Sequence, residues 1–392
     1  MKRVVTDLVN LKGKVVLLRV DFNVPVDKAG RLLSMNRVIK AIPTIKYLSE
    51  QGAKVVLLTH LGRPEGYEIR LSLWSISLFL MKRLKSSVYF SNKVIGPEVK
   101  EQIASLQDGD VLLLENVRFY PGETTCDMNF AREIASYGDI YVNDAFGCSH
   151  RKHATTYGLA RLLPNAIGFL MENEVTQLSK AMESPKRPFV AIIGGAKVPD
   201  KIKLLKNFVD KANTIIIGGA MAYTFLMARG ESVGESLAYV DSVNDAKELL
   251  QLAEERGVKV LLPIDHVVVR NDNPKIKPFV VDKMVDDMVG MDIGPKTLKL
   301  FRAAIDTAGQ IMWNGPVGKY EEDAFKKGTI TLAKYVAASS AYSLIGGGDT
   351  VAAVKAAGCE SKINLLSTGG GATLKFIEDG TLPCLEVIQE KI

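Results

Sequence analysis

The segment FVAIIGGAK, residues 189–197, carries the reading that decides the fold. Five apolar residues run without a polar break, as in strands covered on both faces of a parallel sheet. Two glycines then end the run, where the chain must turn tightly and let a helix begin. The same succession of apolar run, turn and helical pattern recurs in both directions. Towards the C-terminus it appears at Thr214–Ile217, Lys259–Leu262, Gln310–Trp313, Tyr342–Ile345 and Ile363–Leu366. Towards the N-terminus it appears at Lys14–Val24, Lys54–Thr59, Asp110–Glu115 and Asp139–Asn143, with helical stretches at Arg37–Gln51 and Asn129–Tyr137. This alternation predicts an α/β chain of parallel sheets. A helix over Met171–Met182, followed by the breaker-rich Ser184–Pro188, reads as a helical hinge between two domains.

A chain of 392 residues, 47% hydrophobic and 24% charged, can bury a core in each of two domains. No run approaches the roughly 20 apolar residues of a spanning helix. The nearest, Ile215–Ala228, is interrupted by Gly218-Gly219. The N-terminus, MKRVVTDLVNLKGK, has no signal-peptide core, so the expectation is a cytoplasmic protein without a membrane partner. Lys+Arg 50 against Asp+Glu 44 leaves a net charge of +6, spread without a basic stripe. That argues against nucleic acid and suits small anionic ligands. The four cysteines show no C-x-x-C spacing, which argues against a zinc cluster or a disulfide framework.

The residues just past each strand differ between the halves. The early strands end in Asp21-Phe22-Asn23, His60-Leu61-Gly62-Arg63, Asn116-Val117-Arg118 and the stretch from Asp144 to Arg151. The later ones end in Gly194-Gly195-Ala196-Lys197, Gly218-Gly219-Ala220, Gly346-Gly347-Gly348-Asp349 and Gly369-Gly370-Gly371. Ligands of open parallel sheets bind at the carboxyl ends of strands. One half therefore offers guanidinium groups for phosphate or carboxylate: Arg63, Arg118, Arg151, and Arg37 at a helix start. The other offers bare backbone amides for phosphate. Asp349 reads as a Mg²⁺ ligand or as a helix cap. His60, His150 and His153 read as lining the anion site, because no H-E-x-x-H or Cys/Glu cluster accompanies them. Neither G-x-x-x-x-G-K-[ST] nor G-x-G-x-x-G occurs, which excludes a P-loop and counts against a dinucleotide-dependent dehydrogenase.

Eleven segments in order tie the chain to one family. In the first half they are RVDFNVP (19–25), PTIKYL (43–48), HLGRP (60–64), LLENVRFYPGE (113–123) and DAFGCSHRKHA (144–154). In the second they are IIGGAKVPDKI (192–202), IIGGAMAYTF (216–225), MDIGPKT (291–297), WNGPVG (313–318), IGGGDT (345–350) and LSTGGGA (366–372). The chain resembles the phosphoglycerate kinases from end to end. The resemblance implies two doubly wound, Rossmann-like domains: 1–171 for 3-phosphoglycerate and 189–373 for the nucleotide, joined by 172–188. It also implies a tail, 374–392, packed back on the first domain, and a monomer of glycolysis and gluconeogenesis.

By the same resemblance, Asp21, Phe22, Asn23, Arg37, His60, Leu61, Gly62, Arg63, Arg118 and Arg151 bind the substrate. Lys201, Gly218, Gly219, Asn314, Glu321, Gly347, Gly348, Asp349 and Thr350 bind ADP or ATP, with Mg²⁺ on Asp349. Arg37, Lys197, Gly370 and Gly371 stabilise the phosphoryl group in transfer, in line, after hinge closure. The chemistry agrees: a carboxylate acceptor is ionised at neutral pH and needs no general base, whereas the moving charge needs neutralising. Ala220, Lys319 and Tyr320 depart from the family pattern beside the nucleotide. On that account the alternative is a slow relative kept for nucleotide or anion binding.

Overall fold

Six short parallel strands organise the first part of the chain: β1 (Val15–Arg19), β2 (Lys54–Leu58), β3 (Val88–Phe90), β4 (Val111–Leu113), β5 (Ile140–Asn143) and β6 (Asn165–Ile167). They pair in the order β3-β4-β2-β1-β5-β6. The computed structural model describes residues 1–270 and 277–391. It divides into two units, Met1–Thr176 with Asp379–Ile392, and Gln177–Glu378; of the tail, Ile392 lies outside the described residues. Among the described residues no helix is long and apolar enough to cross a membrane.

In the first sheet the chain leaves β1 in one direction through β2 and in the other through β5, so the order reverses at β1. Such a switch point opens a crevice at the strands' carboxyl ends. Arg19 ends β1 there, opposite Leu58 of β2 and Asn143 of β5. The helix Asn36–Glu50 buries Val38, Ala41, Ile45 and Leu48, a helical-period stripe, against the sheet's hydrophobic core. The expected strand Lys14–Val24 stops at Arg19. Beyond it the backbone turns off the sheet, and Phe22 N–H donates to Thr59 Oγ1 at 2.9 Å.

The second unit repeats the plan. Its strands are β7 (Phe189–Ile193), β8 (Thr214–Ile217), β9 (Lys259–Leu261), β13 (Gln310–Asn314), β14 (Tyr342–Gly346) and β15 (Leu365–Leu366). They pair in the order β15-β14-β13-β7-β8-β9, so the switch point lies between β7 and β13. Trp313, Phe301, Ile192 and Leu332 are fully buried around it. A three-stranded antiparallel sheet was not part of the sequence expectation: β10 (His266–Arg270), β11 (Phe279–Val281) and β12 (Met288–Ile293), in the order β11-β10-β12.

The helix expected at Met171–Met182 runs over Phe169–Glu183. Its first turn is capped from the first unit's core: Thr44 Oγ1 accepts from Phe169 N–H at 3.1 Å and Asp144 Oδ1 from Met171 N–H at 3.0 Å. The C-terminal residues from Asp379 on belong to the first unit. There Leu382, Cys384, Leu385 and Ile388 are buried, and Gln389 bonds to Arg3 and Asn165.

Removing residues 386–392 exposes the pocket of Ile388 and costs about 2 kcal/mol from that side chain alone. The expected outcome in calorimetry is a fall of roughly 4–8 °C in the Tm of the first unit. An unchanged Tm would show that the tail's packing contributes nothing.

Candidate functional site

The first unit's site is built around a charge inside an apolar strand. Arg19 follows Val-Val-Leu-Leu and is fully buried, so its five N–H groups need partners within the fold. Its Nε donates to Thr155 Oγ1 at 2.8 Å, one Nη to the Val20 carbonyl, and Nη2 contacts His60 Nδ1 at 3.2 Å. Thr155 in turn donates through Oγ1 and its backbone N–H to the two oxygens of the buried Glu123, at 2.8 and 2.9 Å.

Around this base stand the residues read from the sequence. Arg37 pairs with Asp21, Nη1 to Oδ2 at 2.5 Å. Asn23 Oδ1 accepts from Gly62 N–H at 2.9 Å, and Arg118 Nη1 donates to the Gly62 carbonyl at 2.7 Å. The turn after β2 is thus held by both neighbours. Arg63 and Arg151 are exposed at the rim. Phe22 and Leu61 bury their side chains in the core, so they offer a ligand only backbone. Two buried atoms, Arg118 Nε and His150 Nδ1, have no protein partner among the described residues.

Electrostatics follow from this crowding. Burial, then the guanidinium groups of Arg19, Arg118 and Arg37, hold His60 well below the ordinary imidazole range. Burial and Arg118 bring His153 down to about 4, and burial and Arg151 lower His150. Burial, with Asp21 adding to it, pushes the Cys148 thiol up to about 12. Asp21, His60 and Cys148 converge within 4.8 Å, the residue types of a metal site. Asp21 and His60 face arginine N–H groups, however, and Cys148 Sγ lies 3.8 Å from His60 Nδ1, so guanidinium charge already stands where a metal ion would.

In the second unit the backbone makes the site. Gly194 after β7 and Gly315 after β13 approach so closely that a Cβ on either would overlap the other strand's carbonyls. Gly219 takes a positive φ of 68° and lies against Gly195. A cavity of about 270 Å³ opens over these turns, lined by Lys197, Lys201, Asn314 and the stretch Gly347–Thr350. Thr350 Oγ1 accepts from Gly315 N–H at 2.7 Å and ties two of the turns together. Lys201 donates to Asn314 Oδ1, while Asn314 Nδ2 is buried without a protein partner among the described residues. Asp349 is exposed in the first turn of the helix Gly348–Ala356 and is the sole carboxylate among the described residues of this wall.

A larger cavity of about 430 Å³ is walled by Gly219, Ala220, Pro316, Val317, Gly318 and Glu321, among others. Gly218 packs against Val317. Lys319 is half exposed and paired with Glu322, Nζ to Oε1 at 2.6 Å. Gly370 and Gly371 line neither cavity; they open the helix Gly371–Asp379 past β15, next to β14. Sequence reasoning missed Arg19, Thr155, Glu123 and Asp292. The signal for Arg19 was available, a charge inside an apolar strand. Asp292, on the larger cavity's wall, is pushed up to about 7 by burial, although the N–H groups of Gly328 and Ile293 oppose the shift.

A family model described as "Phosphoglycerate kinase" matches residues 5–380. A phosphoglycerate kinase of Dictyoglomus turgidum is 47% identical over 395 residues, covering 100% of both chains. One from Moorella thermoacetica is 48% identical, covering 97% of this chain and 98% of its own. The solved structure of phosphoglycerate kinase from Coxiella burnetii superposes with a TM-score of 0.87 at 37% identity, covering 99% of this chain and 98% of that one.

The depressed histidines have a consequence for stability. Each takes up its proton more readily in the unfolded chain, so its contribution to folding is present above about pH 6.5. It is lost as the pH falls towards the folded value, about 4 for His153. Asp144, pushed up to about 6 by burial, works in the opposite sense, and a comparison of variant with parent removes it. Urea unfolding should show less loss of stability between pH 7 and 5 in His153→Gln than in the parent; equal losses would contradict the assignment.

Proposed function

Because the chain belongs to the phosphoglycerate kinase family, its reaction is the reversible transfer of a phosphoryl group from 1,3-bisphosphoglycerate to ADP, giving 3-phosphoglycerate and ATP, and we propose a division of that task between its two sites. The first unit binds 3-phosphoglycerate. Arg37, Arg63, Arg118 and Arg151 supply guanidinium groups, Asp21, Asn23 and His60 supply polar side chains, and Phe22, Leu61 and Gly62 supply backbone. The observation that carries this assignment is the arginine cluster in which buried Arg118 Nε and His150 Nδ1 lack partners among the described residues.

The second unit binds the nucleotide. Base and ribose suit the larger cavity, with Gly219 and Glu321 on its wall and Gly218 packed behind it on Val317, and the phosphates suit the smaller one between Lys197, Lys201, Asn314 and Gly347–Thr350. A Mg²⁺ that arrives with the nucleotide fits Asp349, the carboxylate that shares the smaller cavity with two lysines. Bound there, it supplies neutralising charge on phosphate oxygens.

The acceptor is a carboxylate, ionised at neutral pH, so no side chain has to remove a proton. Arg37, Lys197 and the helix N-terminus at Gly370-Gly371 stabilise charge on the group in transfer through their N–H donors. In-line transfer after hinge closure belongs to the same proposal, because these groups come from different units.

The test is phosphoryl transfer from MgATP to 3-phosphoglycerate, read through a coupled dehydrogenase. Lys197→Ala should lower kcat by about 10²–10³-fold with little change in nucleotide affinity. Arg118→Ala should chiefly raise KM for 3-phosphoglycerate, by about 10–100-fold for a lost charge-assisted bond. Lys197→Ala with parental kcat would remove Lys197 from the mechanism.

A further inference from the structure

One imidazole of the anion site has its protonation settled by a neighbour that can only donate. Arg19 Nη2 lies 3.2 Å from His60 Nδ1, and guanidinium nitrogens carry no acceptor. Nδ1 must therefore be the bare nitrogen of the ring. The other group against it is Cys148 Sγ at 3.8 Å, a buried thiol that can donate there as well.

The orientation of Arg19 is itself fixed. Its Nε donates to Thr155 Oγ1 at 2.8 Å, and Thr155 uses its single hydroxyl hydrogen to donate to Glu123 Oε1 at 2.8 Å. An arginine cannot accept and a carboxylate cannot donate, so this chain has one polarity. Glu123 Oε2 accepts from Thr155 N–H at 2.9 Å, which holds the carboxylate in place. Arg19, Thr155 and Glu123 are all fully buried, so water does not compete for these bonds.

We propose that the buried chain Glu123–Thr155–Arg19 fixes His60 as the neutral imidazole with its proton on Nε2, so that it meets the substrate as an N–H donor and not as a cation or a base. The proposal rests on the assignment of His60 to the 3-phosphoglycerate site. Arg19, Thr155 and Glu123 are positioning residues, since they act through His60. The charged and titratable groups facing His60 are Arg19 and Asp21 from the end of β1, Arg37, Arg118, and Cys148 and His153 from the segment after β5. Three fixed guanidinium charges oppose a second proton on the ring, so the tautomer persists through neutral pH.

Long-range ¹H–¹⁵N spectra of the labelled full-length protein, with His60 assigned by comparison with His60→Gln, report which ring nitrogen is protonated. The expected result without substrate is a protonated Nε2 and a bare Nδ1, unchanged from pH 6 to 8. A proton on Nδ1, or an imidazolium at pH 7, overturns the proposal in the parent protein, before any variant is made. Thr155→Val keeps the shape and removes the hydroxyl link. It should turn the single tautomer into a mixture and raise KM for 3-phosphoglycerate about tenfold with kcat nearly unchanged, and Thr155→Ser should restore both. A folded Thr155→Val protein with the parental tautomer would remove the chain from this role. The substrate assignment fails separately, if saturating 3-phosphoglycerate shifts no His60 resonance.

Discussion

A guanidinium taken wholly out of water must be compensated where it lies, and in the first unit that constraint falls on Arg19. An unpaired buried charge costs several kcal/mol, and removing one partner of a buried pair typically costs about 3–5 kcal/mol. The fold meets the cost by drawing three separate parts of the chain to one point. They are Glu123 from beyond β4, Thr155 from beyond β5 and His60 from the end of β2. Each of these segments also carries, or adjoins, an arginine of the site: Arg118, Arg151 and Arg63. Satisfying one buried charge therefore sets the relative placement of the loops that bear the exposed ones.

The second unit is constrained by backbone contact. A side chain on Gly194, Gly315 or Gly219 would overlap facing backbone, and the turns close to within reach of each other's carbonyls. The result is a wall of amides with few side chains, suited to a phosphate chain that must be held close and then released. The two sites thus answer two demands with different materials. On the proposed assignment, a small carboxylate-and-phosphate anion meets forks of fixed charge, and a nucleotide meets surface shape and N–H groups. Lys319, the most conspicuous departure from the family pattern, is neutralised by Glu322 at the surface, so it adds no lone cation to the larger cavity.

Much of this was legible in the sequence, and for a definite reason. Strands such as Phe189–Ile193 and Thr214–Ile217 are buried on both faces, so their apolar runs are unbroken and their limits coincide with the expected ones. The short edge strands β3 and β6, three residues each, are too brief for a periodicity to show. The antiparallel sheet was missed because β12 only half-buries its middle residues and carries glycine and aspartate, so no unbroken apolar run marks it. Within the site, residues that come directly after a strand, such as Asp21, His60 and Arg118, could be picked out by position. Glu123 and Thr155 could not, because their importance lies in a pairing across 32 residues of sequence that only the fold creates.

Close to this chain, three histidines sit beside the arginines without serving as cations. In a site that must attract a multiply charged anion, titrating groups would make affinity depend on pH through the neutral range. Burial and the neighbouring guanidinium groups depress His60, His150 and His153, so that attraction is left to arginines whose charge does not vary. The histidines are then free to act as oriented donors or as packing. For a reaction whose acceptor is already ionised, this is the economical arrangement. No proton has to move, and on the proposed assignment the work of the site is to hold charges at fixed positions while the phosphoryl group is transferred.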